Sequence, residues 1–223
     1  MLNRRDAVIG IAALGAGTAY AFWPRTPTEN ATELPDILDM SANAQTAADV
    51  EVVEYTLGDP EAPVKMVEYA SFTCPHCASF HANTFKDLKE QYIDTGKVHF
   101  TYREVYFDRF GLWAGMVARC AGEDRYFGMV DLIYETQRDW ARAGEPADVA
   151  AALRKLGLQA GMEPEALDAC MQDGNMAQAL VARYQENMER DGVRSTPSFL
   201  INGSLHGGNM PIAQLSELIE AEL

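Results

Sequence analysis

Positive charge is scarce in this chain. Its 18 Lys and Arg residues stand against 33 Asp and Glu, a formal net charge of -15 at pH 7. No basic stripe relieves the deficit. Phosphate backbones are gripped by clustered Lys and Arg, so a nucleic-acid-binding role is excluded. Cysteine is scarce as well. Four in 223 residues are too few for a disulfide scaffold and suit one reactive pair plus one structural pair. There is no internal repeat and no low-complexity tract. What is there, 48% hydrophobic and 23% charged residues, is the balance of a soluble globular chain with enough length for one domain and a sizeable core.

The most informative stretch is Phe72-Thr73-Cys74-Pro75-His76-Cys77-Ala78-Ser79-Phe80. Strand-like residues 64–69 lead into it. Phe80, Thr84/Phe85, Leu88 and Tyr92 follow at roughly helical spacing. A Cys-x-x-Cys pair between a strand and a helix is a redox signature. At this place Cys74 caps the helix and Pro75 takes the first helical position, where its missing N–H costs nothing. First-turn N–H groups lack intrahelical partners and the helix dipole is positive there, so a Cys74 thiolate is stabilised. A protonated His76 adds a second positive neighbour. The competing reading makes Cys74, Cys77 and His81 three ligands of a metal site. No fourth ligand follows at zinc spacing, and redox chemistry is the preferred reading.

Residues 1–23 read as a signal peptide or N-terminal anchor. Arg4 and Arg5 supply a positive start, residues 7–23 carry no charge, and Ala19-Tyr20-Ala21 offers a small-x-small cleavage site. The uncharged run approaches the ~17-residue lower limit for a membrane span, so an uncleaved anchor stays open, as does twin-arginine export. Either route delivers the domain to a compartment where disulfides persist. Residues 24–49 are acidic and interrupted by Pro24, Pro27 and Pro35. They read as a linker, with one short helix over 33–40.

The folded domain is expected over 50–223. Val52-Val53-Glu54-Tyr55 suits a strand, residues 64–70 a second, and Val98, Phe100 and Tyr102 a third. Strand, helix and strand in this order make a right-handed crossover with its working end at the strand's carboxyl edge. From about 108 to 191 the period is helical. One helix carries Leu112, Met116 and Val117, and a second carries Phe127, Val130, Ile133 and Tyr134. Two more start at Pro146 and Pro164, and a fifth runs from Ala177 to its stop at Asp191-Gly192. A β-hairpin follows around Asn202-Gly203, and a last helix buries Ile212, Leu215 and Ile219. His99 reads as structural and His206 as a surface residue. Trp113 and Trp140 read as core of the insertion. Cys120 and Cys170 fall on separate insertion helices, where an oxidising compartment favours a structural disulfide over two inert thiols.

With these elements placed, the chain resembles the DsbA-like thiol:disulfide oxidoreductases of the thioredoxin superfamily. The resemblance rests on Glu68-Tyr69-Ala70-Ser71-Phe72-Thr73-Cys74-Pro75-His76-Cys77 and on Ser195-Thr196-Pro197-Ser198-Phe199-Leu200-Ile201-Asn202-Gly203. It implies an α/β thioredoxin fold (βαβ–ββα) with an all-helical insertion between the third strand and the cis-proline strand. It makes Cys74 the exposed nucleophile, Cys77 its buried resolving partner and Pro197 the cis-proline facing them. It makes Glu68 a buried acid that moves a proton to or from the resolving thiol. Thr196 departs from the valine usual in DsbA itself and is similar to isomerases and to other branches of the DsbA-like group. A disulfide reductase or isomerase therefore stands as the alternative to a net oxidase. The resemblance further implies a redox-active Cys74–Cys77 disulfide with no other cofactor and no metal. Its implied substrates are exported proteins with free thiols, gripped beside Pro197 and by apolar contacts near Phe72 and Phe199. Recycling falls to a DsbB-like quinone-linked membrane protein, and the location is periplasmic.

Overall fold

Strand β2 (Val64–Ala70) is the middle of the sheet. Near its start Val64 and Met66 face inward while Lys65 faces solvent; by Glu68, Tyr69 and Ala70 every residue is buried. A strand covered on both faces at one end and wetted at the other carries this kind of pattern. The structure, a computed structural model, describes residues 50–223. The segments 1–23 and 24–49, with the export signal and the short helix expected there, lie outside the described residues.

The sheet runs in the order β1-β3-β2-β4-β5. β3 (Val98–Glu104) lies parallel to β2, with Met66 opposite Phe100 and Ala70 opposite Glu104. β1 (Tyr55–Leu57) is antiparallel to β3 on the outer edge. β4 (Ser198–Ile201) runs antiparallel to β2, and β5 (Ser204–Gly207) returns beside β4. The β4–β5 turn needs positive φ at both central residues, and Asn202 (φ 44°) and Gly203 (φ 86°) provide it.

Between β2 and β3 stand α1 (Pro75–Asn83), α2 (Phe85–Leu88) and a π-helical turn, Lys89–Ile93. The sequence suggests one continuous helix here. Its break falls at Thr84, whose buried hydroxyl donates to the Met210 carbonyl at 3.0 Å. The π-helical turn then lets both Tyr92 and Ile93 enter the core. The first strand is also displaced from the expected 52–55 to Tyr55–Leu57, with only Tyr55 in common. Val52 is buried, but the Val53 carbonyl accepts from Arg119 at 2.9 Å and not from a neighbouring strand.

The insertion comprises α3 (Arg109–Cys120), α4 (Tyr126–Glu135), α5 (Gln137–Trp140), α6 (Pro146–Gln159), α7 (Pro164–Met171) and α8 (Gly174–Asp191). The short α5 is not visible as a period in the sequence. Insertion residues Trp113, Val117, Tyr126, Val130, Ile133, Trp140 and Leu153 share one apolar cluster with Met66, Phe80 and Phe100 of the sheet unit. On the opposite face, Tyr69 and Val67 pack with Tyr184 and Met188 of α8. The final helix α9 (Ile212–Glu220) buries Leu215 and Ile219. Cys120 and Cys170 are joined by a disulfide that ties the end of α3 to α7. His99 is partly buried on β3, and His206 is partly buried on β5 instead of lying fully on the surface.

Candidate active site

β2 ends at Ala70, and the chain turns through Ser71, Phe72 and Thr73 into α1. The Cys74 N–H closes that turn on the Ser71 carbonyl at 3.0 Å. Cys74 is the N-cap of α1 with extended backbone (φ -81°, ψ 118°), and Pro75 takes the first helical position. No carboxylate occupies the first turn of this helix. Two outside groups hold the turn in shape. Thr73 donates its hydroxyl to one oxygen of Asp108 at 2.7 Å, while the other oxygen accepts the Gly111 N–H and caps α3. The buried amide of Gln137 donates to the carbonyls of Phe72 (2.7 Å) and Cys74 (3.0 Å).

The second chain segment arrives from the far side of the sequence. Because β4 is antiparallel to β2, with Ser198 opposite Tyr69, the residues just before β4 meet the loop just after β2. Those residues are Thr196 and Pro197, joined by a cis peptide bond. The Cys74 sulfur lies 3.5 Å from the Thr196 carbonyl oxygen, which accepts from it only while the thiol is protonated.

Both sulfurs are free, Cys74 half-buried and Cys77 fully buried. Cys77 donates its thiol hydrogen to Cys74, the largest influence that draws the Cys74 pKa down to about 5. Burial works the other way, and the Thr196 side chain with the backbone N–H groups of Cys77 and His76 complete the lowering. The buried Thr196 hydroxyl has no hydrogen-bond partner among the described residues, so its proton is available to a Cys74 thiolate. His76 thus acts through its backbone; its side chain is exposed. Cys77 is pushed far above an ordinary thiol, first by burial, then by its bond to Cys74 and the charge of Glu68. At neutral pH one sulfur is a nucleophilic anion and the other a protonated reserve.

Glu68 is fully buried, one strand turn before the loop, and is not a solvated strand carboxylate. Its Oε2 lies 3.1 Å from the buried His81 Nε2. His81 is therefore engaged with Glu68 and not with the sulfurs. Among the described residues no group of three or more His, Cys, Asp or Glu is placed to hold a metal ion.

The sequence reading of Phe72 and Phe199 as apolar substrate contacts needs correction. Both side chains are fully buried. Phe72 packs on Tyr102 and Tyr134, and Phe199 on Phe80. The strand and loop periodicity that put them beside the site also turned them into the core. Three contributors escaped the sequence reading: Gln137, Asp108 and His81 in its role as partner of Glu68. Only Asp108 had a local signal, as a helix N-cap.

Residues 47–221 match the family model described as Thioredoxin. A Rickettsia bellii protein named as a protein-disulfide oxidoreductase is 32% identical over 168 residues, 75% of this chain and 63% of the relative. The chain thus spans less than two thirds of that relative's length. The crystal structure of Wolbachia pipientis alpha-DsbA1 is similar with a TM-score of 0.71 and 28% identity, covering 79% of this chain and 94% of that one. A protein-disulfide isomerase from Novosphingobium aromaticivorans is similar with a TM-score of 0.65 and 26% identity, over 75% and 96% of the two chains.

Proposed function

This chain is a member of the thioredoxin family, and we propose that it is a DsbA-type thiol–disulfide oxidoreductase that donates disulfides to exported proteins. The observation that supports this most strongly is the ionised, half-exposed Cys74 beside a buried, protonated Cys77. In the forward direction a substrate thiolate attacks Cys74 of the oxidised pair, and Cys77 leaves with the electrons of the broken bond. A second substrate thiol then attacks its partner sulfur in the mixed disulfide and expels Cys74 as a thiolate. A leaving thiol of low pKa departs faster, and a stabilised thiolate favours the reduced enzyme, which makes the oxidised form a stronger oxidant.

Substrate backbone is expected to pair beside the cis Thr196–Pro197 bond. The pair of sulfurs is the whole redox apparatus in this reading, with no further cofactor. The electrons leave to a DsbB-like quinone-linked membrane protein, and the work is done in the periplasm. Among the described residues no helix is long and apolar enough to cross a membrane.

Measurement of the Cys74/Cys77 reduction potential tests the direction. A net oxidant is expected near or above about -180 mV, against about -270 mV for a thioredoxin-like reductant. A value at the reducing end would overturn the oxidase reading. One observation favours a second reading, an isomerase: a threonine with an unpartnered buried hydroxyl, Thr196, stands before the cis-proline. Rapid unscrambling of a mispaired substrate, together with slow net oxidation, would select it.

A further inference from the structure

His81 occupies a core position, 3% exposed. Tyr134 stacks on its ring at 4.4 Å between centroids, and Phe85 lies at 4.6 Å. A phenyl ring would satisfy such packing. Instead the position holds an imidazole bonded to a buried carboxylate, and the pair carries two further polar atoms without partners, Glu68 Oε1 and His81 Nδ1. Burying an unpaired polar atom costs roughly 1–3 kcal/mol, so packing alone gives no reason for the pair.

A cavity of about 80 Å³ abuts His81, lined also by Ala78, Ala82, Lys86, Asp131, Tyr134 and Glu135. That volume accommodates water at about 30 Å³ per molecule. Lys86, Asp131 and Glu135 are exposed, and Lys86 pairs loosely with Glu135 at 3.7 Å. The cavity therefore leads from the buried imidazole to a charged mouth at the surface. Partial desolvation there holds the Asp131 carboxyl above the usual range.

We propose that Glu68 and His81 form a proton conduit that connects Cys77 with solvent through this cavity, with His81 as the transferring member. The inference rests on the thiol–disulfide reading of the site. When a substrate sulfur bonds to Cys74, the Cys74–Cys77 bond breaks and its electron pair remains on Cys77. A sulfur so deeply buried needs one proton. Glu68 passes that proton on: His81 Nε2–H supplies it to the Glu68 carboxylate, which hands it to Cys77, and His81 Nδ1 takes one from water in the cavity. Reoxidation runs the sequence backwards: Cys77 loses its proton, it leaves through the same pair, and the imidazole returns to its first tautomer. The charged or titratable groups around His81 are Glu68 from β2, Tyr102 from β3, Cys77 from α1, Lys86 from α2, and Asp131, Tyr134 and Glu135 from α4. His81 acts on the sulfur through Glu68 and is a positioning residue for the proton.

The test follows reduction of the oxidised full chain by excess dithiothreitol between pH 5 and 9 in a stopped-flow instrument. H81Q keeps a hydrogen-bonding amide but cannot relay a proton. It is expected to lower the rate roughly tenfold or more, within the range of general acid–base effects, and to change the shape of the pH profile. H81G is expected to be slow and to recover in part with added imidazole, which can enter the enlarged cavity. D131N, at the exposed mouth, is a fold-safe companion and is expected to shift the profile in the same sense. Wild-type rates and profiles in H81Q and D131N overturn the conduit. Slowing with an unaltered profile and no imidazole rescue marks a packing role and overturns it too. If the wild-type protein exchanges no disulfide with dithiothreitol, the reading of the site itself fails, an outcome distinct from both.

Discussion

The side-chain amide of Gln137 bridges two carbonyls of the redox loop, that of Cys74 at 3.0 Å and that of Phe72 at 2.7 Å. Gln137 is 63 residues beyond Cys74, on the short helix α5, and is buried. One amide thus ties the helical insertion to the turn that aims the nucleophile. Gln137→Ala leaves both carbonyls without this donor. The expected loss is about 1–3 kcal/mol of stability, with slower exchange at Cys74. Urea denaturation and the rate of a thiol-exchange assay check it; an unaltered variant would remove Gln137 from the site.

The thiolate at Cys74 has a sign that can be followed with pH. Its folded pKa is about 5, below the roughly 8.5 of an unfolded thiol. A depressed pKa stabilises the folded reduced protein fully above the unfolded value, and the benefit disappears as pH falls through about 5. The oxidised protein has no such group. Reduced protein is therefore expected to gain on oxidised protein between pH 5 and 8, and to lose that advantage by pH 4. Paired denaturation curves at several pH values measure the difference. A pH-independent gap would contradict the assignment.

Thr196→Val tests the hydroxyl beside Cys74. The Thr196 side chain is among the groups that lower the Cys74 pKa. Its replacement by an isostere without a proton donor is expected to move the thiolate titration upward, read by absorbance near 240 nm in reduced protein. The redox potential should fall in step, since a weaker thiolate makes a weaker oxidant.

The Cys120–Cys170 bridge closes a loop with a sequence separation of 50. On the chain-entropy account that stabilises the protein by about 4 kcal/mol. Replacing both cysteines by alanine is expected to cost a large part of that in urea denaturation while exchange at Cys74 persists. Loss of exchange in a folded double variant would show that this bridge does more than restrain the insertion.

Arg119 and Glu104 form a two-pronged buried ion pair, at 2.8 and 2.7 Å, and Tyr126 donates its hydroxyl to the same carboxylate at 2.7 Å. Removing only the cation by Arg119→Met strands a carboxylate in the core. The expected cost is about 3–5 kcal/mol. Replacing Glu104 with Leu as well should restore part of it, because two absent charges are easier to bury than one. A thermal melt of both variants decides between them.

Local sequence was enough for the redox motif, the βαβ–ββα order and the helical middle, because those depend on spacing along one element. Cys74-Pro75 at a helix start, Asn202-Gly203 at a hairpin and the helix stop at Gly192 are all choices made by neighbouring residues. The direction of Phe72 and Phe199, the partner of His81 and the reach of Gln137 are different in kind. Each depends on which surface of a distant element covers the residue, and periodicity within one segment carries no record of that. Phe72 would be a fair substrate contact if α4 did not place Tyr134 over it. Chain-local chemistry therefore named the sulfur, while packing among β2, α1, α4 and α5 set its surroundings and its support, since desolvation and hydrogen bonding at a buried site are properties of assembled neighbours.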